Sequence, residues 1–142
     1  MEPIAKSSKY SQGFSLLEVI IAIAIVAFVM LALLQAVTLY TQQNMTNMLR
    51  DEAVRVTQDF LYDLRTQDYA TIVSTGTINA SNQCTTAGRT VTKNLRSGTF
   101  PFRICWTVTE DALQVRKTVT AVTSWTFLNQ IFTNQSSVVV PK

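Results

Sequence analysis

The sequence predicts an α+β protein in which one long N-terminal helix packs on a small antiparallel β-sheet. Two observations favour a long helix: an apolar run over residues 14–34, and an amphipathic pattern that continues it with no Gly or Pro before Gly76. A third observation concerns the C-terminal part, where β-branched and aromatic residues alternate with polar ones from Phe100 onward. A helix followed by a block of strands is typical of the α+β class.

The apolar run, residues 14–34, has 21 residues, and Glu18 is its one charged side chain. As a helix it would be about 30 Å long, which matches the hydrocarbon core of a bilayer. We therefore predict a transmembrane helix. A carboxylate inside such a segment costs about 2.5–3.5 kcal/mol at a helix centre, so Glu18 is a candidate functional residue.

Residues 1–13 form a short polar leader that contains Lys6 and Lys9. Positive charge before the run predicts a cytoplasmic N-terminus and an extracytoplasmic remainder. An ordinary secretory signal is disfavoured, because the run is too long and because Leu34, at the position before Gln35-Ala36, is not a small residue. An uncleaved signal anchor stays an alternative.

Residues 35–68 are predicted to be the amphipathic half of the same helix. Their apolar side chains recur at spacings of three and four, as on one helical face. They are Met45, Met48, Leu49, Ala53, Val56, Phe60, Leu61 and Leu64. A helix of about fifty residues exceeds the usual globular length, so each half needs a partner. We expect lipid or other apolar helices to cover the first half and the domain's own sheet to cover the second.

Residues 69–100 are rich in turn formers and predict a connecting loop with one or two short strands, for example at 77–78 or 90–91. Cys84 lies in this loop and Cys105 follows it. In an exported domain such a pair is most simply a disulfide, which would stabilise the fold by about 3 kcal/mol. Two free buried thiols are the alternative.

Residues 101–142 predict an antiparallel sheet of three sequential strands, at 102–109, at 118–127 and within 131–140. Turns are expected at Glu110-Asp111 and at Asn129-Gln130. Val122 interrupts the alternation of the second strand, which indicates either a β-bulge or burial on both faces. Trp106 and Trp125 are interpreted as core residues.

Nothing in the sequence predicts an enzyme, a cofactor or a metal site. The chain has no His, no Gly-rich phosphate loop and no cluster with metal-ligand spacing. Asp59 and Asp63 have helical spacing and could pair, but a solvated helix face is the favoured interpretation.

A basic and aromatic segment offers one binding alternative. Its cations are Arg89, Lys93, Arg96 and Arg103, with Phe100, Phe102 and Trp106 nearby. Such residues could contact phosphates and stack on bases. Because the cations are few and scattered, a solvated basic loop is favoured, and nucleic acid is not expected as a partner.

The residues at the start of the apolar run resemble a known signature. Gly13 followed by Phe14, with Glu18 fifth in a run of about twenty apolar residues, resembles the prepilin motif of type IV pilins, minor pilins and type II secretion pseudopilins. The resemblance implies cleavage between Gly13 and Phe14 by a prepilin peptidase, followed by methylation of the new amino group of Phe14. It also implies that Glu18 pairs with the N-terminus of a neighbouring subunit.

The resemblance extends more weakly to the strands, whose W-x-V and V-T-x-W segments are similar to PilV-like minor pilins. It implies a pilin-like fold and a minor pilin that primes or caps a type IV pilus. Its partners would be other pilin subunits, the prepilin peptidase, the inner-membrane assembly platform and the lipid bilayer. The chain would first lie in the inner membrane and then in the pilus. A minor pseudopilin of a type II secretion system and a monomeric membrane-anchored binding domain are the alternatives.

Overall fold

The computed structural model describes residues 15–96, 98–112 and 115–142, and it confirms the predicted α+β class. Helix α1 spans Leu16–Arg65 and is followed by a 3-10 turn at Tyr69–Thr71. The described residues after α1 form six strands: β1 Thr77–Ile78, β2 Cys84–Thr86, β3 Arg89–Leu95, β4 Gly98–Glu110, β5 Arg116–Phe127 and β6 Gln130–Pro141. The chain divides into two compact units, Met1–Gln43 and Asn44–Lys142.

In the first unit, α1 begins directly after Ser15. The Ser15 carbonyl accepts the first backbone hydrogen bonds, from the N–H groups of Glu18 at 3.0 Å and Val19 at 3.2 Å. Farther along, the hydroxyl groups of Thr38 and Thr41 donate to backbone carbonyls of the preceding turn at 2.9 and 2.8 Å. These hydroxyls are thus satisfied within the helix, which suits an apolar environment.

In the second unit, residues 44–65 of α1 bury one stripe against the sheet. The buried positions recur every three or four residues, as the sequence predicts. They are Met45, Leu49, Ala53, Val56, Thr57, Phe60, Leu61 and Leu64. The helix ends at Arg65, slightly before the predicted end at Asp68. There the chain turns, and the Asp68 carboxylate accepts the N–H of Ala70 at the start of the 3-10 turn.

The main sheet is an antiparallel meander of four strands in the order β3-β4-β5-β6. Its α1-facing side chains alternate along each strand and form one core with the helix stripe. From the sheet this core takes Phe102, Ile104, Val119, Ala121, Trp125, Val138 and Val140. The meander was predicted, but with three strands; β3 is the fourth and lies inside the predicted connecting loop.

The opposite face of the sheet carries a second, smaller layer. Strands β1 and β2 pair antiparallel, and a disulfide joins Cys84 of β2 to Cys105 of β4 with a Cα–Cα distance of 5.6 Å. The Cys84 N–H also donates to the Ser124 hydroxyl at 2.8 Å. Cys105, Val122 and Ser124 are consequently buried on this face. Val122 breaks the alternation because β5 is buried on both faces, and its pairing with β4 and β6 continues unshifted.

The two predicted turns lie at the observed connections, but their bounds differ. Strand β4 continues through Glu110, so its turn begins at Asp111. Phe127 pairs with Gln130, which leaves Leu128 and Asn129 as a two-residue turn with φ of 49° and 61°. Positive φ at both central residues is the type I′ geometry, which matches the twist of a hairpin.

Candidate functional site

The first candidate site is the surface of the N-terminal half of α1. All side chains of residues 15–44 are exposed within the chain, although most of them are apolar. Within the described residues, α1 is the one helix long and apolar enough to cross a membrane, with a mean hydropathy of 3.0 over its 18-residue window. A helix that exposes apolar side chains all around needs lipid or other apolar helices to cover it.

Glu18 lies in the first turn of this apolar segment and is exposed. The N-terminus of a helix favours a carboxylate, because unpaired N–H groups and the helix dipole place positive potential there. Among the described residues the structure records no side chain that pairs with Glu18. Ionisable side chains within membrane segments usually pair with another group, which makes Glu18 a candidate functional residue. Gly13 and Phe14, the predicted cleavage site, lie outside the described residues.

Residues 8–34 match a family model described as "Prokaryotic N-terminal methylation motif". This motif indicates the type IV pilin or pseudopilin family. It implies processing by a prepilin peptidase and assembly with other pilin subunits, and with the apolar helix it suggests membrane anchoring. Proteins of this family are structural rather than enzymatic. No curated protein and no solved structure matches the chain significantly.

A second constellation, in the Asn44–Lys142 unit, is built around Lys117. This side chain is buried, and its ammonium group donates to the carbonyls of Tyr69 at 2.8 Å and Ile72 at 3.1 Å. It also pairs with Glu110 at 3.2 Å, and it lies 4.5 Å from the centre of the Tyr69 ring. An ammonium group has three donors, and all three find acceptors here. Lys117 therefore fixes the segment after α1 to the sheet.

A buried hydroxyl network ties α1 to the middle of the sheet. Thr57 donates to the Ala53 carbonyl at 2.6 Å, and its oxygen lies 2.7 Å from the Thr123 hydroxyl. The Asn134 amide donates to the same Thr57 oxygen at 3.3 Å. Because both hydroxyls are fully buried, the network satisfies polar groups that would otherwise be costly. It also fixes which turn of the helix faces β5 and β6.

The four cations of the predicted basic segment do not share one surface. Arg89 and Lys93 lie on the side of β3 that faces α1, where they pair with Asp63 at 3.5 Å and Glu52 at 3.2 Å. Arg103 lies on the opposite face of β4, paired in register with Thr90. Arg96 is exposed in the turn between these strands. Asp63, one of the two carboxylates at helical spacing, therefore forms an ion pair with Arg89 of β3.

Lys117, Thr57 and Thr123 were not predicted from the sequence as interacting residues. A signal exists for two of them: Lys117 and Thr123 lie in phase with Val119, Ala121 and Trp125 on the buried face of β5. A polar side chain at a buried strand position predicts a partner, because unpaired polar groups are rare in cores. The identity of the partner depends on how α1 and the following turn cross the sheet, which local pattern does not contain.

Proposed function

We propose that this chain is a minor pilin, a structural subunit that is incorporated into a type IV pilus and primes or caps its assembly. It would be made as a prepilin with a cytoplasmic N-terminus and an extracytoplasmic C-terminal unit. Cleavage between Gly13 and Phe14, followed by methylation, would create a new amine at Phe14. The observation that carries the proposal is Glu18, a carboxylate without a described partner inside an exposed apolar helix that bears the methylation motif.

Two charges, the new amine of Phe14 and the carboxylate of Glu18, would be costly in lipid. The Phe14 amine of an incoming subunit would meet Glu18 of a subunit already in the filament. Forming this pair would neutralise both charges and would set the axial position of one helix against the next, since buried polar pairs are known to fix register. The exposed apolar side chains around α1 would then exchange lipid for sister helices. Assembly would thus be driven by the same segment that anchors the subunit.

The test compares Glu18→Ala with Glu18→Asp in the full chain, expressed in cells that make the filament. We expect wild-type protein in sheared surface filaments, with an N-terminal methylated Phe14 by mass spectrometry. Glu18→Ala should be lost from the filaments at unchanged membrane level, and Glu18→Asp should be incorporated in part because it keeps the charge. Unchanged incorporation of Glu18→Ala would contradict the pairing. An intact leader would contradict the prepilin assignment, and loss of secretion instead of pili would favour the pseudopilin.

A further inference from the structure

The two edges of the four-stranded sheet carry no outward-facing charge. Strand β6 has no charged residue over its 12 positions, and it pairs with β5 on one side only. Natural proteins usually protect a long edge with charged side chains, inward-pointing charges, Pro, a β-bulge or a covering segment, because unpaired backbone groups bind other strands. Among the described residues of β6, Pro141 at its end is the single such device. This edge therefore has the properties of an interface.

The register identifies which backbone groups of β6 are free. The turn at Leu128 and Asn129 makes Phe127 and Gln130 a hydrogen-bonded pair, and from there every second residue of β6 bonds to β5. The Lys142 N–H, which follows the same alternation, donates to the Val115 carbonyl at 3.0 Å. The remaining residues direct their N–H and C=O groups away from the sheet. They are Ile131, Thr133, Gln135, Ser137 and Val139, all exposed.

The other edge, β3, has a matching pattern. Leu95 pairs with Gly98 across a two-residue connection, so alternate residues from Leu95 bond to β4. The backbone groups of Thr90, Thr92 and Asn94 therefore point outward, and their side chains are exposed on the face opposite α1. The cations of this strand, Arg89 and Lys93, lie on the α1 side in ion pairs with the helix. The outer face of β3 is thus uncharged, although inward-pointing cations are one of the devices that protect an edge strand, so β3 is better protected than β6.

We propose that β6 of one copy pairs with β3 of a second copy, so that the two sheets become continuous; this rests on the proposed filament assembly and identifies the neighbour. Because the meander alternates direction, β3 and β6 run antiparallel. A copy displaced sideways thus presents its β3 antiparallel to β6. The outward backbone groups on both edges belong to residues whose side chains lie on the same outer face, as an antiparallel pair requires.

The other pairings of two copies fit less well. Two β6 edges paired antiparallel about a two-fold axis would make the two α1 helices run in opposite directions, whereas copies anchored in one membrane have them running in the same direction. Two β6 edges paired parallel about a two-fold axis would turn one sheet over, so the apolar face of one copy would continue the polar face of the other. Only the β6–β3 contact keeps both the helix direction and the face.

The surface beside β6 can receive the second copy. A groove of about 420 Å³ lies between α1 and β6. Its lining is mostly polar and charged, and it consists of Gln58, Asp59, Leu61, Tyr62, Arg65, Ser136, Ser137 and Val138. In a continuous sheet the incoming β3 would lie beside this groove, while its α1-facing side chains stay packed against the α1 of their own copy. The contact is head-to-tail, so one free β3 and one free β6 remain at the ends unless the rotation between copies closes a ring. Such an open contact suits a subunit that starts an assembly.

Cysteine cross-linking of the full chain in membranes tests this contact. The native cysteines are already joined to each other, so introduced cysteines are the reactive ones. One tagged copy carries Thr92→Cys and a second carries Gln135→Cys, with Thr133→Cys and Ser137→Cys as alternatives for register. We expect a mixed dimer under mild oxidation, and a ladder of higher species when Thr92→Cys and the matching β6 cysteine are on one chain. The control is Thr107→Cys, which is exposed on the same face of the interior strand β4.

Absence of mixed dimers from every β6 position, at normal membrane levels of the variants, would overturn the proposal. So would stronger cross-linking of Gln135→Cys to itself, which indicates the two-fold pairing, or an equal yield from Thr107→Cys. Sheared filaments, collected from the same cells, separate this outcome from the proposed function. Protein that is present in filaments without cross-links contradicts the edge contact alone. A ladder in membranes with no protein in filaments contradicts the minor pilin role alone.

Discussion

At the scale of single residues, Lys117 shows how a charged side chain can stabilise this core. It lies opposite Glu110 in the sheet, yet its nearest contacts are the backbone carbonyls of Tyr69 and Ile72. Glu110 is half-exposed, with 47% of its side-chain surface accessible, so solvent screens the ion pair. The two carbonyls thus account for most of the stabilisation.

We predict that Lys117→Met destabilises the protein by about 2–3 kcal/mol, since hydrogen bonds to charged groups contribute about 1.5–3 kcal/mol and the Ile72 carbonyl would lose its partner. Glu110→Gln is the matched control and should cost less than about 1 kcal/mol. Chemical denaturation of the full chain in detergent, followed by near-UV circular dichroism of Trp106 and Trp125, measures both. Equal losses in the two variants would show that the ion pair, and not the carbonyl contacts, holds the segment.

At the scale of elements, the β5–β6 turn places Leu128, a residue that disfavours positive φ, at a position that requires it. Leu128 has φ of 49° and is 60% exposed, so its side chain gains little from burial while its backbone adopts a left-handed conformation. That conformation costs an ordinary L-residue about 1–2 kcal/mol. Asn129, the other turn residue, is among the types that tolerate it.

Leu128→Gly should therefore stabilise the protein by about 0.5–1 kcal/mol, because relief of the backbone strain exceeds the entropy that glycine loses on folding. Leu128→Ala is the control: it removes the side chain but keeps the strain, and it should give no gain. Thermal unfolding of the three proteins side by side distinguishes the cases. A gain from alanine equal to that from glycine would mean that removal of the apolar side chain, rather than φ, is responsible.

The elements also show what local pattern can and cannot predict. Strands β4, β5 and β6 were expected because their apolar residues alternate, and α1 because its stripe has helical spacing. Strand β3 was expected only as a short segment, because Arg89 and Lys93 interrupt the apolar alternation of Val91 and Leu95. These cations occupy inward positions by pairing with Asp63 and Glu52 of α1. A contact that is distant in sequence thus completes the strand.

At the scale of the whole molecule, the two units differ in whether the chain itself buries their apolar side chains. The core of the Asn44–Lys142 unit takes its first residue at Met45. Residues 15–43 bury no side chain within the chain. The sequence predicts this division, because residues 14–34 are apolar all around whereas 45–64 are apolar on one stripe. The predicted change from apolar to amphipathic helix falls between residues 34 and 35, whereas the compact units divide between Gln43 and Asn44.

We predict that residues 44–142, expressed alone in an oxidising compartment, fold without detergent and keep the near-UV spectrum of the full chain. The reason is that the sheet, the disulfide and the whole helix stripe are retained. A second truncation, residues 54–142, is the control. It removes Met45, Leu49 and Ala53 from the core, and deletion of one large buried aliphatic side chain costs about 2–5 kcal/mol. It should therefore unfold at a clearly lower denaturant concentration or fail to fold. If residues 44–142 also required detergent, the apolar half of α1 would have to contribute to folding of the C-terminal unit as well as to anchoring.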